Sequence, residues 1–345
     1  MSSNQIKIFR LISFTIFFNL ILIISALNAQ RSPILKFDQS GKFKIVQFTD
    51  VHLKIENKQR SDSVINTIKF VIDKEKPDMV VFTGDVVTSN DVKKAWAAVT
   101  EPIIDAKVPW AVIFGNHDHE HGLTNAQIMK YLESLPLNQS KSGPKNISGS
   151  GNYVLEIKGF KSNNTKALLY CFDSNAYTGK ENNKELGEYD WIKNDQIQWY
   201  RNESIRFTKN NKGNPYPALA FFHIPLPEYN TIKAFSTTIG DKDEDVASPV
   251  INSGMYCAIL ESKDIMGVFC GHDHNNNYIG TLNDIALAYG CKTGKDSYGK
   301  LSKGGRVIVL YEGERKFDTW ITTTDESGKY FVKYPESFKS KYLVN

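Results

Sequence analysis

Three short apolar runs rich in β-branched residues, Phe43–Phe48, Met79–Thr83 and Trp110–Phe114, are separated by two amphipathic helical patterns. The first pattern, Ser63–Lys74, puts Val64, Ile68, Val71 and Ile72 on one face and stops before Pro77. The second, Asp91–Ile104, does the same with Val92, Trp96 and Val99. Strand, helix, strand, helix, strand in that order allows little but parallel strands with helices covering the sheet. Six more strand-like runs come later in the chain: Tyr153–Ile157, Ala167–Phe172, Ala218–Phe222, Ile265–Cys270, Ile285–Tyr289 and Arg306–Tyr311. Many lack polar alternation, the mark of strands buried on both faces. The later half holds more strands than helices, which predicts a second sheet packed on the first. The fold expected is α/β (α+β), a four-layer αββα sandwich of two mixed sheets flanked by helices. Residues past Tyr311 are expected to finish the sheet and then trail off.

The ends of these strands carry a more specific signal. Phe43–Phe48 runs into Asp50-Val51-His52, Met79–Thr83 into Gly84-Asp85, and Trp110–Phe114 into Gly115-Asn116-His117-Asp118. Ala218–Phe222 runs into His223, and Ile265–Cys270 into Gly271-His272-Asp273-His274. In α/β sheets the carboxyl ends of strands are where sites assemble. Of seven histidines, five fall at these ends. One Asp after a strand is ordinarily a turn or capping residue, and one His ordinarily a surface or core residue. Together, carboxylate, imidazole and amide oxygen form a donor set suited to Fe, Zn or Mn. One shared carboxylate can bridge two ions. A single-zinc hydrolase does not explain Asn116 or the paired Gly-His-x-His.

These five blocks, D-x-H, G-D, G-N-H-D, a later His and G-H-x-H, resemble in order the signature of the calcineurin-like metallophosphoesterase superfamily. Glu188–Ile192, Ala220–Glu228 and Gly271–His274 look closer still to one branch, the plant purple-acid-phosphatase-like proteins labelled inactive and related yeast phosphatases. The resemblance implies that Asp50, His52, Asp85 and His274 hold one metal, and Asp85, Asn116, His223 and His272 the other, with Asp85 bridging. It implies that His117 stands near the phosphate and serves its leaving oxygen. Asp118 is expected either to orient His117 through a hydrogen bond or to be a turn residue. His119 and His121 are candidate substrate contacts, or exposed loop residues. In purple members a Tyr shortly after the second Asp binds ferric iron. Here Val86-Val87-Thr88 stands there, which implies a non-purple site.

The function expected is therefore an exported dinuclear-metal phosphohydrolase. A metal-bridging hydroxide attacks phosphorus in line, so no Ser or Cys nucleophile is required. A phosphomonoesterase leads. The alternatives are a phosphodiesterase acting on nucleotides or phospholipid head groups, and a catalytically inactive binding protein. The filled metal and His117 positions argue against the last. The loops Asn125–Gly151, Gly179–Glu188 and Tyr229–Ser253 are expected to choose the substrate. The stretch Tyr189, Trp191, Trp199 and Tyr200 reads as a helix packing aromatics on the sheet, or as a surface for a leaving group.

Export rests on the N-terminus. Lys7 and Arg10 precede an uncharged apolar run, Leu11–Leu27, with Ala29 after it. That is a secretory signal over residues 1–29, cut before Gln30, or an uncleaved anchor. Residues 30–345 are then a single phosphoesterase domain. No other segment is apolar enough to cross a bilayer. A net charge of +4 shows no footprint for nucleic acid. Of the four cysteines, Cys171 and Cys270 sit in strands as buried thiols, and Cys257 with Cys291 is the disulfide to test first. The sequons at Asn138, Asn146, Asn163 and Asn202 are expected on surface loops.

Overall fold

The computed structural model describes residues 33–179, 184–235, 237–295 and 297–339. The N-terminal segment 1–29, read as a signal or anchor, lies outside the described residues.

Among the described residues, twelve strands form two six-stranded sheets. The first contains β1 (Lys42–Phe48), β2 (Met79–Thr83), β3 (Trp110–Ile113), β10 (Gly304–Tyr311), β11 (Phe317–Thr323) and β12 (Ser327–Tyr334), in the order β12-β11-β10-β1-β2-β3. The second contains β4 (Tyr153–Lys158), β5 (Thr165–Cys171), β6 (Ala218–Phe221), β7 (Ile265–Cys270), β8 (Ile279–Leu282) and β9 (Ile285–Tyr289), in the order β4-β5-β6-β7-β9-β8. β1, β2 and β3 pair in parallel, and so do β5, β6, β7 and β9. β10, β11 and β12 join the first sheet antiparallel, and β4 and β8 pair antiparallel at the two edges of the second, so both sheets are mixed.

Alternation along the second sheet sorts its side chains into two cores. Leu169, Cys171, Leu219, Phe221 and Phe269 pack with residues of the first sheet. Leu168, Tyr170, Phe172, Ala220, Phe222 and Val268 face the helices outside. Phe269 meets Phe317 across the sheets with ring centres 5.6 Å apart. Helices α1 (Lys58–Glu75) and α2 (Val92–Asp105) cross between the parallel strands, as βαβ connections require. Asn57 and Asp91 cap them, accepting from Arg60 N and Lys94 N at 3.2 Å each. The other α-helices among the described residues are α3 (Asn125–Leu132), α4 (Asn194–Asn210), α5 (Glu228–Phe235) and α6 (Met255–Ser262).

Several expectations change. The chain past Tyr311 does finish the first sheet, and takes two whole strands, β11 and β12, to do so. Parts of the segments read as loops are α3 and α5. Trp199 and Tyr200 do pack from α4, onto Phe172 and Tyr170, but Tyr189 precedes the helix. Cys257 and Cys291 are not bridged: Cys257 is exposed on α6, while Cys291 is buried with its Sγ 3.4 Å from Ser302 O. Asn138 is buried and accepts from Ser140 N through its Oδ1, so its side chain is closed to a glycan; Asn146 and Asn163 are exposed on loops, whereas Asn202 is exposed on helix α4 rather than a loop.

Candidate metal centre

The ends of five strands from both sheets meet at one edge. Asp50 and His52 follow β1, Asp85 follows β2, and Asn116 follows β3. His223 follows β6, and His272 and His274 follow β7. Asp50, His52, Asp85 and His272 all take left-handed backbone conformations, with φ of 49°, 45°, 52° and 78°. Such conformations are costly away from glycine and gather at functional sites. The glycines before the ligands are there for space. A Cβ on Gly84 would stand 2.4 Å from His223 Nδ1, and one on Gly115 would stand 2.3 Å from Asp85 Oδ1.

The side chains form two groups, Asp50–His52–His274 and Asp85–His223–His272, each with ligand-type atoms within 4.8 Å of one another. His274 Nε2 lies 3.2 Å from Asp50 Oδ1. Asp85 Oδ2 lies 3.2 Å from His223 Nε2 and 3.7 Å from His52 Nε2, so one carboxylate oxygen faces both groups. Its other oxygen is taken: Asp85 Oδ1 accepts from His117 N at 2.8 Å. His223 Nδ1 donates to Thr83 O at 2.7 Å, which turns Nε2 inward. Asn116 Oδ1 is 3.1 Å, and His272 Nδ1 3.3 Å, from that same Nε2.

This crowding tests whether cations fit. Lone pairs of carboxylate, amide and imidazole converge on two shared points with too few hydrogens between them, and His52 Nε2 is buried with no hydrogen-bond partner. Cations resolve that arrangement, and the donor set of carboxylate and imidazole suits Fe, Zn or Mn. Without them, the charges rearrange. Burial alone raises the Asp50 carboxyl, but His274 outweighs it and brings it down to about 2. Burial opposes ionised Asp85 as well, yet His223 holds it well below the usual carboxylate range. The same pair acts on His223, where burial disfavours the proton but Asp85 pushes the imidazole up to about 10. His272, pressed by burial and by His223, falls to about 3.

His117 is half-buried beside His52, ring centres 5.5 Å apart. Asp118 does not orient it. The Asp118 carboxylate is buried and accepts four backbone N–H groups, from Gly115 at 2.8 Å, Asp85 at 2.9 Å, Val86 at 2.8 Å and Val87 at 3.1 Å. It fixes the loops carrying Asp85 and Asn116. Burial and the charge of Asp85 push its carboxyl up to about 6 against those hydrogen bonds. The partner of His117 is Glu120, whose Oε1 is 2.9 Å from His117 Nδ1. His119 is exposed and His121 half-buried, and neither belongs to the two groups.

Three tyrosines complete the surround. Tyr177 accepts from Asn116 Nδ2 at 2.7 Å, Tyr189 sets its ring edge against His272 at 4.5 Å, and Tyr298 stacks on His274 at 4.0 Å. Sequence reasoning named only Tyr189 of these, and within an aromatic stretch read as helix packing. Glu120 stands three residues after His117, a spacing at which side chains meet on a turn.

The family model for calcineurin-like phosphoesterases matches residues 43–276. The chain belongs to that family. It is 36% identical over 325 residues to probable inactive purple acid phosphatase 29 of Arabidopsis thaliana, covering 85% of this chain and 82% of that one. It is 34% identical over 336 residues to phosphatase DCR2 of Saccharomyces cerevisiae, covering 85% of this chain and 55% of the yeast protein. Among solved structures, a dimetal phosphatase from Danio rerio superposes with a TM-score of 0.55 at 14% identity, covering 84% of this chain and 98% of that one. That likeness concerns the fold. The family uses two metal ions, and this metal-dependent phosphoesterase carries two groups of residues able to hold them. Its substrates are phosphate esters.

Proposed function

We propose that the protein is an exported phosphomonoesterase with a dinuclear metal centre. The observation that carries the centre is the single oxygen Asp85 Oδ2 facing both groups, 3.2 Å from His223 and 3.7 Å from His52. Asp50, His52, Asp85 and His274 are the ligands of one metal, and Asp85, Asn116, His223 and His272 those of the other. When bound, two cations supply an acidified water as nucleophile and neutralise charge on the phosphoryl group. His117 adds the proton-handling group. Burial works against its charged form, but Asp85 and Glu120 outweigh burial and raise its pKa. A half-buried imidazole beside His52 whose charged form is favoured suits donation to a leaving oxygen. The monoester reading draws on the yeast relative named a phosphatase. The plant relatives are named inactive, but in this chain every position of the donor set and His117 is filled.

The test is metal content together with hydrolysis of p-nitrophenyl phosphate and bis-p-nitrophenyl phosphate, for wild type and Asp85→Ala. Two metals per chain and monoester turnover, both lost in the variant, are expected. Faster diester than monoester turnover moves the assignment to a phosphodiesterase. No metal uptake from Fe, Zn or Mn and no turnover removes the proposal. Export rests on the Lys7–Ala29 pattern, and the mass of the mature protein checks it: a chain beginning at Gln30 is expected, and retention of residues 1–29 overturns cleavage.

A further inference from the structure

Resting on the dinuclear reading above, we infer that Tyr177 is a positioning residue for one metal only, because its hydroxyl anchors the outer end of the Asn116 amide. Asn116 offers one oxygen and one nitrogen, and only the oxygen ligates a cation. The amide is 1% exposed, so both atoms need partners inside the protein. Asn116 Nδ2 donates to the Tyr177 hydroxyl at 2.7 Å, which leaves Oδ1 turned inward, 3.1 Å from His223 Nε2. The hydroxyl can donate as well as accept, so the inner partner at His223 Nε2 selects the oxygen-in orientation, and the Tyr177 hydroxyl anchors the outer end of the amide.

The anchor is itself held. Tyr177 pairs with Tyr189 in an antiparallel bridge. Thr178 N donates to Glu188 O at 2.9 Å, and Asp190 N to Ala176 O at 3.0 Å. The two tyrosine rings stack with centres 5.9 Å apart. One arm of this pairing thus reaches Asn116 and the other sets Tyr189 against His272 at 4.5 Å. Both contacted residues lie against His223: Asn116 Oδ1 is 3.1 Å and His272 Nδ1 3.3 Å from its Nε2. In the other group, His274 stacks on Tyr298 instead. The pairing of Tyr177 with Tyr189 therefore acts on the second metal and leaves the first to other supports.

Tyr177→Phe keeps the ring and its stacking and removes only the oxygen. Buried Nδ2 then has no acceptor, and the amide loses the anchor of its outer end. Partners of this kind typically set metal affinity by about 10–100-fold. The experiment is calorimetric titration of the metal-free full chain with Zn(II), for wild type, Tyr177→Phe and Tyr189→Phe, with melting curves to verify folding. Mn(II) spin coupling reports separately whether both sites fill. Two binding steps are expected in wild type and Tyr189→Phe. In Tyr177→Phe one step weakens by roughly 10–100-fold, the other is unchanged, and the coupled Mn(II) signal is lost at limiting metal. Two wild-type steps in Tyr177→Phe overturn the inference and leave the dinuclear reading standing, as does equal weakening of both steps. No metal uptake by the wild type removes both.

Discussion

Asp118 shows how one residue type at one position serves a different end from the one its neighbours suggest. A carboxylate next to a catalytic-type imidazole in sequence invites the assignment of orienting it. In the fold, the side chain points the other way and gathers N–H groups from Gly115, Asp85, Val86 and Val87. Its work is to hold two ligand-bearing loops in register. Asp118→Ala leaves these buried donors without an acceptor, at about 1–3 kcal/mol for each unsatisfied group and with some relaxation between them. A loss of roughly 3 kcal/mol or more in urea unfolding is expected, with metal content falling alongside. The pH dependence of whatever turnover remains should match wild type, because the group near His117 Nδ1 is Glu120. Wild-type stability with turnover abolished would return Asp118 to a catalytic role.

At the scale of elements, the sequence was legible wherever burial on both faces and a chemical terminus coincided. Met79–Thr83, Ile265–Cys270 and Ile285–Tyr289 are buried at every residue and have the bounds their apolar runs predict. The ligand blocks were legible because each must follow a strand end, where short polar turns stand out against the runs. Elements that depend on tertiary context were not. β12 alternates weakly and is exposed at half of its residues, as an edge strand can be, so no apolar run announces it. α3 spans only eight residues, too short for a periodicity to declare itself. Its start was nevertheless written in the chain: Thr124 and Gln127 form a capping box, with Gln127 N 3.3 Å from Thr124 Oγ1 and Thr124 N 2.9 Å from Gln127 Oε1. The tyrosines around the centre were hidden for another reason. Tyr177 and Tyr298 lie in irregular segments, and a tyrosine that touches a ligand looks in sequence like one that fills a core.

The whole molecule is two sheets whose strand ends share one centre, and each metal group draws on both sheets. Asp50 and His52 come from the first sheet and His274 from the second; Asp85 comes from the first and His223 and His272 from the second. Cations bound there join the sheets at that edge, where Arg306 joins them nearby by reaching from β10 to the carbonyls of Tyr289 and Asn277. Metal removal should therefore lower the stability of the whole fold rather than loosen one loop. Free metal at a thousand times its dissociation constant contributes about 4 kcal/mol per site. The pH dependence has a definite sign. In the metal-free protein His223 is raised to about 10 from its ordinary value of 6.5; burial opposes the proton, and Asp85 outweighs burial. That contribution is fully present below pH 6.5 and drains away as pH rises toward 10. Asp85, depressed below its ordinary value, is ionised throughout this window and adds no slope. Metal displaces the His223 proton, so the loaded protein loses this dependence. Melting temperatures of chelated and reloaded protein across that window measure both effects together. The chelated protein should melt lower and fall further as pH rises than the reloaded protein, which lacks the His223 contribution. Identical curves for the two forms would mean that the centre does not bind cations tightly enough to join the sheets.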